Sequence, residues 1–142
     1  MKVSDIMTKD VVKISPEESV EVAARTLTHY NIGALLVCNS HGKLCGIVTD
    51  RDLVIRCMAA NKLAANTSVR QVMTNQLVSV APGTDVSAAA QLMGNKQIRR
   101  LPVVEQGKLC GMVSLGDIAG QKQMNSQAAN ALSHIASNVK KG

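Results

Sequence analysis

The sequence contains one pattern twice, and this repeat limits the folds that the chain can adopt. Residues 3–27, VSDIMTKDVVKISPEESVEVAARTL, align without a gap with residues 69–93, VRQVMTNQLVSVAPGTDVSAAAQLM. Further along, GKLCGIVTDRDL aligns with GKLCGMVSLGDI, with one residue lost in the turn that precedes the second copy. A repeat unit of about 55 to 60 residues is too long for a solenoid repeat. The chain is therefore expected to fold as two similar halves.

Each repeat predicts the element order β-α-β-β-α. A short apolar stretch, VVKI or LVSV, is a strand candidate, and apolar residues three and four positions apart then predict an amphipathic helix. Two further apolar stretches around a turn predict a hairpin, and a second helix starts at the TDRD or SLGD motif. Ser19 and Asp85 are the expected N-caps of the first helices, because Ala81, the counterpart of Ser15, cannot cap a helix.

Two such repeats lead to a predicted α+β fold in which the β-α-β-β-α units pack with pseudo-twofold symmetry. One unit has a three-stranded sheet and too little helix to cover it, so a second copy would bury its exposed face. The expected boundaries are 3–60 for the first repeat, 61–68 for a linker, 69–122 for the second repeat and 123–142 for a C-terminal helix with its tail.

The C-terminal segment has apolar residues at helical spacing and predicts an amphipathic helix. This helix would pack either on the two repeats or on a second chain, and the sequence leaves both alternatives open. Its apolar face consists of Ala128, Ala131, Leu132, Ile135 and Val139.

The composition is that of a folded protein with an aliphatic core. Of the 142 residues, 46% are hydrophobic and 18% are charged, which is typical of a globular chain and not of a disordered one. Tyr30 is the only aromatic residue, so the core must consist of Val, Ile, Leu, Met and Ala. The N-terminus has no signal-peptide pattern and no apolar run approaches a membrane span, so a cytoplasmic protein without membrane contact is expected.

Cysteine, histidine and basic residues narrow the function classes. The four cysteines form no Cys-x-x-Cys pair and the three histidines are isolated. We therefore expect buried reduced thiols, no metal site and no catalytic activity. The net charge of +6 suits a phosphate-bearing partner. Nucleic acid is disfavoured, because no run of Lys or Arg exceeds two residues and stacking aromatics are absent.

The TDRD and SLGD motifs, which begin at Thr49 and Ser114, have two compatible interpretations. In the first, each motif is a capping box: its hydroxyl caps a helix, and its Asp is the third residue of that helix. As ligand sites, the same hydroxyl and carboxylate would bind the hydroxyls of a sugar, as carboxylates bind ribose in dinucleotide folds. The glycine before each motif, Gly46 or Gly111, indicates a close backbone approach, either to a ligand or to the other repeat.

These motifs together resemble those of tandem CBS domains, which pair into a Bateman module. DIMT opens a repeat, IGALLV and IRRLPVV lie inside it, and GIVTDRD and GMVSLGD close it. The resemblance covers residues 3–122 and is to small stand-alone bacterial CBS-pair proteins. It implies a regulatory fold that requires no cofactor and binds an adenosyl ligand in two clefts between the repeats. The expected ligands are AMP, ADP, ATP, NAD or S-adenosylmethionine.

The resemblance also implies roles for individual residues, namely a Thr or Ser with an Asp for the ribose hydroxyls and a basic pair from the other repeat for phosphate. The first cleft is expected to contain Thr49, Asp52, Arg99 and Arg100, with Leu77, Val78 and Val80 near adenine. The second cleft is expected to contain Ser114 and Asp117, with Ile32, Gly33 and Ala34 around the positions equivalent to the basic pair. Because those positions carry no charge, the second cleft would bind a less charged ligand or stay empty.

Several residues near these motifs have simpler explanations. Arg99 and Arg100 are as well explained as solvated edge charges, and Arg51 and Arg56 are expected on a solvated helix face. The methionine of each Met-Thr dipeptide is explained by packing in the core or between the repeats.

The leading hypothesis is an adenosyl-nucleotide sensor that forms a homodimer through its CBS helices and acts on an unidentified protein target. Ligand binding would bias the relative orientation of the repeats, which a partner could read. The alternative is a ligand-free dimerisation or scaffold module in which TDRD and SLGD are only helix caps. A nucleic-acid binder that uses the basic surface is a third hypothesis.

Overall fold

The computed structural model describes residues 1–121 and 130–135. Both repeats contain helices and strands, with the strands of each hairpin consecutive in the chain, and this mixed content confirms the predicted α+β class. The first repeat contains α1 (Val3–Ile6), β1 (Lys13–Ile14), α2 (Val20–Tyr30), β2 (Ala34–Cys38), β3 (Leu44–Thr49) and α3 (Asp50–Leu53). A π-helical segment (Val54–Met58) extends α3, and a short 3-10 helix (Ala64–Asn66) follows. The second repeat contains α4 (Val69–Val72), α5 (Val86–Lys96), β4 (Arg100–Glu105), β5 (Lys108–Ser114) and α6 (Leu115–Ala119).

The chain forms two compact units, and the opening segment of each repeat belongs to the unit built mainly from the other repeat. Unit 1 consists of Met1–Val11, Val78–Gln106 and the described residues from Cys110 onward. Unit 2 consists of Val12–Leu77 and Gly107–Leu109. The predicted division into repeats along the chain therefore differs from the division into compact units.

In unit 2 the sheet has the order β1-β2-β3, with β1 parallel to β2 and β2 antiparallel to β3. Thr74, which follows α4, extends this sheet because it exchanges two backbone hydrogen bonds of 2.9 and 2.8 Å with Ile47 of β3. The start of α4 is bonded to the loop before α2, where the Val69 N–H donates to Glu18 O at 2.8 Å. The buried side chains of this core are Ile14, Val20, Ala23, Leu27, Leu35, Val37, Val48, Cys57, Val69 and Val72.

Unit 1 repeats this arrangement with the other opening segment. Its two-stranded sheet consists of β4 and β5, and Thr8 exchanges hydrogen bonds of 2.8 and 2.9 Å with Met112 of β5. The N–H of Val3 at the start of α1 donates to Thr84 O at 2.8 Å, just before α5. The buried side chains of this core are Val3, Val80, Val86, Ala89, Ala90, Met93, Leu101, Val103, Val113, Leu115, Ile118 and Ala131.

The first predicted strand of each repeat is shorter than the sequence pattern suggested. VVKI forms only the two-residue β1, and LVSV forms a single parallel bridge between Val80 and Val103. The pairing is local because each segment must turn immediately into the loop that leads to α2 or α5.

The two predicted N-caps have different outcomes. Ser19 caps α2, and its Oγ accepts a hydrogen bond from Val22 N at 3.1 Å. Asp85 occupies the N-cap position of α5, but the prediction that its side chain caps the helix is wrong. Its carboxylate instead accepts a hydrogen bond from Lys2 Nζ at 2.8 Å, which lowers the pKa of Asp85 and raises that of Lys2. A lysine ammonium is a stronger donor to a carboxylate than a neutral backbone amide is.

Within the predicted C-terminal helix, residues 130–135 are helical, whereas Ala128 and Val139 lie outside the described residues. Ala131 and Ile135 are buried and Leu132 is exposed. A Cβ added to Gly94 of α5 would lie 3.1 Å from the Ala131 Cα, so this segment packs on α5 of its own chain. In the part of the chain that the structure describes, no helix is long and apolar enough to cross a membrane.

Candidate functional site

The TDRD motif forms a complete capping box at the junction of β3 and α3. The Oγ1 of Thr49 accepts a hydrogen bond from the Asp52 N–H at 3.1 Å, and Oδ2 of Asp52 accepts one from the Thr49 N–H at 3.0 Å. The two side chains therefore satisfy the backbone donors of the first helical turn, as their spacing predicts. The cap interpretation of TDRD is confirmed.

The SLGD motif forms the same box at the junction of β5 and α6. The Oγ of Ser114 accepts from the Asp117 N–H at 3.0 Å, and Oδ2 of Asp117 accepts from the Ser114 N–H at 2.9 Å. The two repeats therefore present an equivalent hydroxyl and carboxylate at equivalent places.

The boxes leave hydrogen-bonding capacity unused in both motifs. Each hydroxyl accepts one bond and retains its own proton, and each carboxylate uses Oδ2 for the box, which leaves Oδ1 as an acceptor. The Asp52 side chain is only 13% exposed, and Thr49, Ser114 and Asp117 are half-buried. The remaining proton and Oδ1 form a donor and an acceptor that suit a vicinal diol, so the cap and ligand roles are compatible.

A second strand lies beside each motif. In unit 2, the Asp50 N–H donates to Gly33 O at 3.0 Å, and Ala34 pairs with Thr49 in the β2–β3 register. In unit 1, the Leu115 N–H donates to Arg99 O at 2.7 Å. The main chain around Gly33 is therefore close to TDRD, and that around Arg99 is close to SLGD.

The other expected ligand-binding residues are divided between the units. Ile32 and Leu77 belong to unit 2, whereas Val78, Val80 and Arg100 belong to unit 1. Arg99 and Arg100 are exposed, Leu77 and Val78 are half-buried, and Val80 is buried. The expected grouping of Thr49 and Asp52 with the arginine pair combines residues of both units, and it stays a prediction.

The glycine before each motif is required by packing. A Cβ on Gly46 would lie 2.7 Å from Thr74 O and 2.9 Å from Met73 Sδ. A Cβ on Gly111 would lie 2.6 Å from Thr8 O and 3.0 Å from Met7 Sδ. Each Met-Thr dipeptide therefore lies against the strand that ends at a motif. The structure supports the interpretation that these glycines and methionines are needed for packing.

Arg56 is a residue whose environment the sequence interpretation missed. We expected a solvated position, and the side chain is 49% exposed, but its guanidinium contacts three groups. Nη1 donates to Met73 O at 3.1 Å and to Val72 O at 3.4 Å, and Nε lies 3.8 Å from Asp52 Oδ1. The i,i+4 spacing of Asp52 and Arg56 was the available signal, because residues four apart face the same side of a helix.

An apolar groove of about 400 Å³ lies on unit 2, beside α3 and the π-helical segment. Leu27, Leu53, Val54, Cys57 and Met58 contribute to its lining. Ala24 of α2 and Ala90 of α5 occupy equivalent positions in the two repeats. Ala24 lines this groove, whereas Ala90 is buried.

Within residues 1–121 and 130–135, no cluster of three or more His, Cys, Asp or Glu side chains is arranged to hold a metal ion. All four cysteines are free thiols, and Cys38 and Cys57 are buried. Burial raises the pKa of Cys38, because a thiolate would lose its hydration inside the sheet.

Comparison with known proteins identifies the repeat unit. A family model for the CBS domain matches residues 3–58 and 69–121. The CBS domain-containing protein YhcV of Bacillus subtilis is 40% identical over 134 residues, and the alignment covers 94% of each chain.

Two solved structures have the same fold. Hypoxic response protein I, with two coordinated zinc ions, has a TM-score of 0.77 at 29% identity, covering 85% of this chain and 98% of that one. The CBS domain pair of protein MJ0100, in complex with 5′-methylthioadenosine and S-adenosyl-L-methionine, has a TM-score of 0.72 at 29% identity, covering 84% of this chain and 94% of that one. With both of its repeats matched by the family model, the protein belongs to the CBS-domain family and contains a tandem pair of these domains.

Proposed function

We propose that this CBS pair is a regulatory sensor of adenosyl nucleotides, without catalytic activity of its own. The observation that carries the proposal is the unused hydrogen-bonding capacity of both boxes. The Thr49 and Ser114 hydroxyls retain a proton to donate, and Oδ1 of Asp52 and of Asp117 is not used by the box. The 2′- and 3′-hydroxyls of a ribose offer one acceptor and one donor at adjacent carbons, which match this pair.

The ligand class is an adenosyl compound such as AMP, ADP, ATP, NAD or S-adenosylmethionine. The MJ0100 domain pair, which has the same fold, is in complex with two adenosyl compounds, and this likeness supports the class. In the proposed first cleft, Thr49 and Asp52 bind ribose, Arg99 and Arg100 reach phosphate, and Leu77, Val78 and Val80 lie near adenine. The proposed second cleft uses Ser114 and Asp117 with Ile32, Gly33 and Ala34, and it takes a less charged ligand or none.

Sensing is proposed to act through the arrangement of the two repeats. A ligand shifts a conformational equilibrium only as far as its affinities for the two states differ. A nucleotide that contacts both repeats favours one relative orientation, which a protein target then recognises.

The protein is proposed to act as a cytoplasmic homodimer through its CBS helices. Exposed apolar side chains on α2 and the π-helical segment support this assembly, because a second chain that packs on these helices would remove them from water. These side chains include Val22, Tyr30, Val54, Ile55 and Met58.

A ligand-free dimerisation or scaffold module is the second candidate function. It is favoured by the completeness of both capping boxes, which need no ligand to satisfy the helix ends. Under this function TDRD and SLGD would contribute only helix stability.

A thermal-shift titration of the purified protein with AMP, ADP, ATP, NAD, S-adenosylmethionine and GTP tests the proposal. A ligand specific to the folded state adds about 2.7 kcal/mol of stability at a hundred times its Kd. We expect an adenosyl ligand to raise Tm, with the shift lost in Asp52→Asn and retained in Asp50→Asn. Asp50 is the matched control because it lies in the same turn and, among residues 1–121 and 130–135, its carboxylate accepts a hydrogen bond from the neighbouring Arg51 N–H alone. If no ligand raises Tm, the scaffold function is supported instead.

Calorimetry tests the proposal that the first cleft binds a phosphate-bearing ligand more tightly than the second. Asp52→Asn is expected to reduce AMP affinity more than Asp117→Asn does, because only the first cleft is proposed to include the arginine pair. Equal losses in the two variants would contradict the inequality while leaving the sensor function in place.

A further inference from the structure

We propose that Arg56 is a positioning residue that holds Asp52 for its ligand and couples occupancy of Asp52 to the Met73–Thr74 peptide beside β3. This inference rests on the proposed nucleotide function for its ligand, and it adds a route by which the site communicates with the segment that opens the second repeat. All residues in the argument belong to unit 2.

The first step is the contact between Arg56 and the carboxylate. Nε of Arg56 lies 3.8 Å from Asp52 Oδ1, which is the oxygen that the capping box leaves unused. The Asp52 side chain is largely buried, so its negative charge is poorly solvated and the guanidinium is its nearby countercharge. Arg56 therefore acts on the oxygen to which a ribose hydroxyl would donate.

The second step is the attachment of Arg56 to the main chain. Its Nη1 donates to Met73 O at 3.1 Å and to Val72 O at 3.4 Å, at the C-terminal end of α4. These two carbonyls anchor the far side of the guanidinium, so the side chain bridges α3 and α4. An arginine can do this because its planar group carries several donors in a fixed geometry.

The third step returns to the strand that carries Thr49. The peptide group whose oxygen accepts from Arg56 has the Thr74 N–H at its other end, and that N–H donates to Ile47 O at 2.8 Å. A hydrogen bond to the oxygen of a peptide polarises it and strengthens its N–H as a donor. Asp52, Arg56, the Met73–Thr74 peptide and β3 thus form a closed circuit.

The second repeat lacks the charged residue at the centre of this circuit. The residue equivalent to Arg56 is Gln121, which has no positive charge to pair with Asp117. The inference therefore assigns this coupling to the TDRD motif alone. This difference between the TDRD and SLGD motifs does not depend on Arg99 and Arg100.

The test measures amide hydrogen exchange by NMR with and without AMP in the full-length protein and its variants. Without nucleotide, Arg56→Gln and Asp52→Asn are both expected to speed exchange of the Thr74 amide, and the double variant to add little to either. Arg51→Gln is the matched control, since it removes the same charge from α3, just before the π-helical segment that contains Arg56, and its side chain makes no hydrogen bond or ion pair within the described residues. Exchange that is unchanged in Arg56→Gln, or equally altered in Arg51→Gln, would overturn the circuit.

With saturating AMP, we expect Thr74 exchange in the unmodified protein to slow by about fivefold, the low end of couplings between sites. Arg56→Gln is expected to lose this effect and, because coupling is reciprocal, to bind AMP about fivefold more weakly. AMP binding with no change at Thr74 overturns the coupling and leaves the nucleotide function standing. If Arg56→Gln alters Thr74 exchange without nucleotide, and neither AMP nor any other ligand of the thermal-shift titration binds, the nucleotide function and the coupling are both overturned and Arg56 is a purely structural bridge.

Discussion

Gly46 lies so close to the Thr74 carbonyl that a Cβ added to the glycine would be 2.7 Å from that oxygen. The same relationship recurs between Gly111 and Thr8 at 2.6 Å. In each case the backbone of a Met-Thr dipeptide runs over the strand that ends at a candidate site. The glycine that precedes each motif by three residues is therefore a contact point for the opening segment, which lies against the strand that ends at the hydroxyl of the motif.

Alanine at Gly46 or Gly111 is expected to destabilise the protein. The new methyl group would meet a main-chain oxygen as well as a methionine side chain. Because the main-chain oxygen cannot rotate away, we expect a loss of about 1–3 kcal/mol, the range for overpacking. Urea unfolding of Gly46→Ala and Gly111→Ala measures this loss. Gly83→Ala is the control, because a Cβ there would meet no atom within 4 Å. A Gly46→Ala variant as stable as Gly83→Ala would show that the approach is not tight.

Removing the hydroxyl of a capping box is expected to cost stability in either repeat. Thr49→Ala and Ser114→Ala each lose one acceptor for a backbone N–H, and such losses amount to about 1 kcal/mol. Thr49→Ser keeps the acceptor and is expected to stay close to the unmodified protein. Thermal unfolding without ligand measures these differences, and a Thr49→Ser variant as unstable as Thr49→Ala would contradict the cap role.

The ion pair between Lys2 and Asp85 is expected to make stability depend on pH in the acidic range. Its carboxyl has a pKa lowered from the ordinary value of 3.8, mainly by the hydrogen bond from Lys2. A group with a lowered pKa stabilises the fold above its unfolded value, and that contribution is lost as the pH falls through the folded value. The Tm difference between the unmodified protein and Asp85→Asn should therefore be present at neutral pH and shrink progressively as the pH falls below 3.8.

The same ion pair is solvent-exposed, so salt provides an independent check. Raising the ionic strength screens exposed charges and should shrink the Tm difference at neutral pH. A difference that persists unchanged at low pH and at high salt would assign the effect of Asp85→Asn to something other than this pair.

Cysteine reactivity is expected to follow burial. Cys38 lies in β2 with a side chain whose pKa is raised chiefly by burial, so its thiolate is scarce in the folded protein. Iodoacetamide at pH 8 should modify the half-buried Cys45 and Cys110 before it modifies Cys38, with peptide mass spectrometry as the measurement. Rapid modification of Cys38 under native conditions would contradict its burial.

A raised thiol pKa also predicts the direction of alkaline destabilisation. The neutral Cys38 thiol is favoured in the folded state, so its contribution is present below the unfolded pKa and is lost as the pH rises through the folded one. Unfolding measured from pH 8 to 11 should show a smaller alkaline loss in Cys38→Ala than in the unmodified protein. An equal loss in both would exclude this thiol as the cause.

Most of the local structure could be predicted from the sequence. The boxes at Thr49 and Ser114 and the cap at Ser19 involve residues only three positions apart, so their hydrogen bonds depend on the nearby chain alone. The helix α2 and the hairpin of β2 and β3 follow from apolar spacing for the same reason. The family could be recognised because these local patterns recur twice in the same order.

The sequence alone determined that the chain is a tandem α+β repeat with a hydroxyl and a carboxylate at the start of one helix in each copy. Only the tertiary structure decided that Thr8 pairs with Met112 and Thr74 with Ile47. It also decided that the Asp85 carboxylate binds Lys2 instead of capping α5, and that Arg56 bridges Asp52 to Met73. The physical reason is that these contacts, except the i,i+4 contact of Arg56 with Asp52, join residues far apart in the chain, and their formation depends on which buried faces pack together. Periodicity shows that a face is apolar, but it does not show which segment covers it.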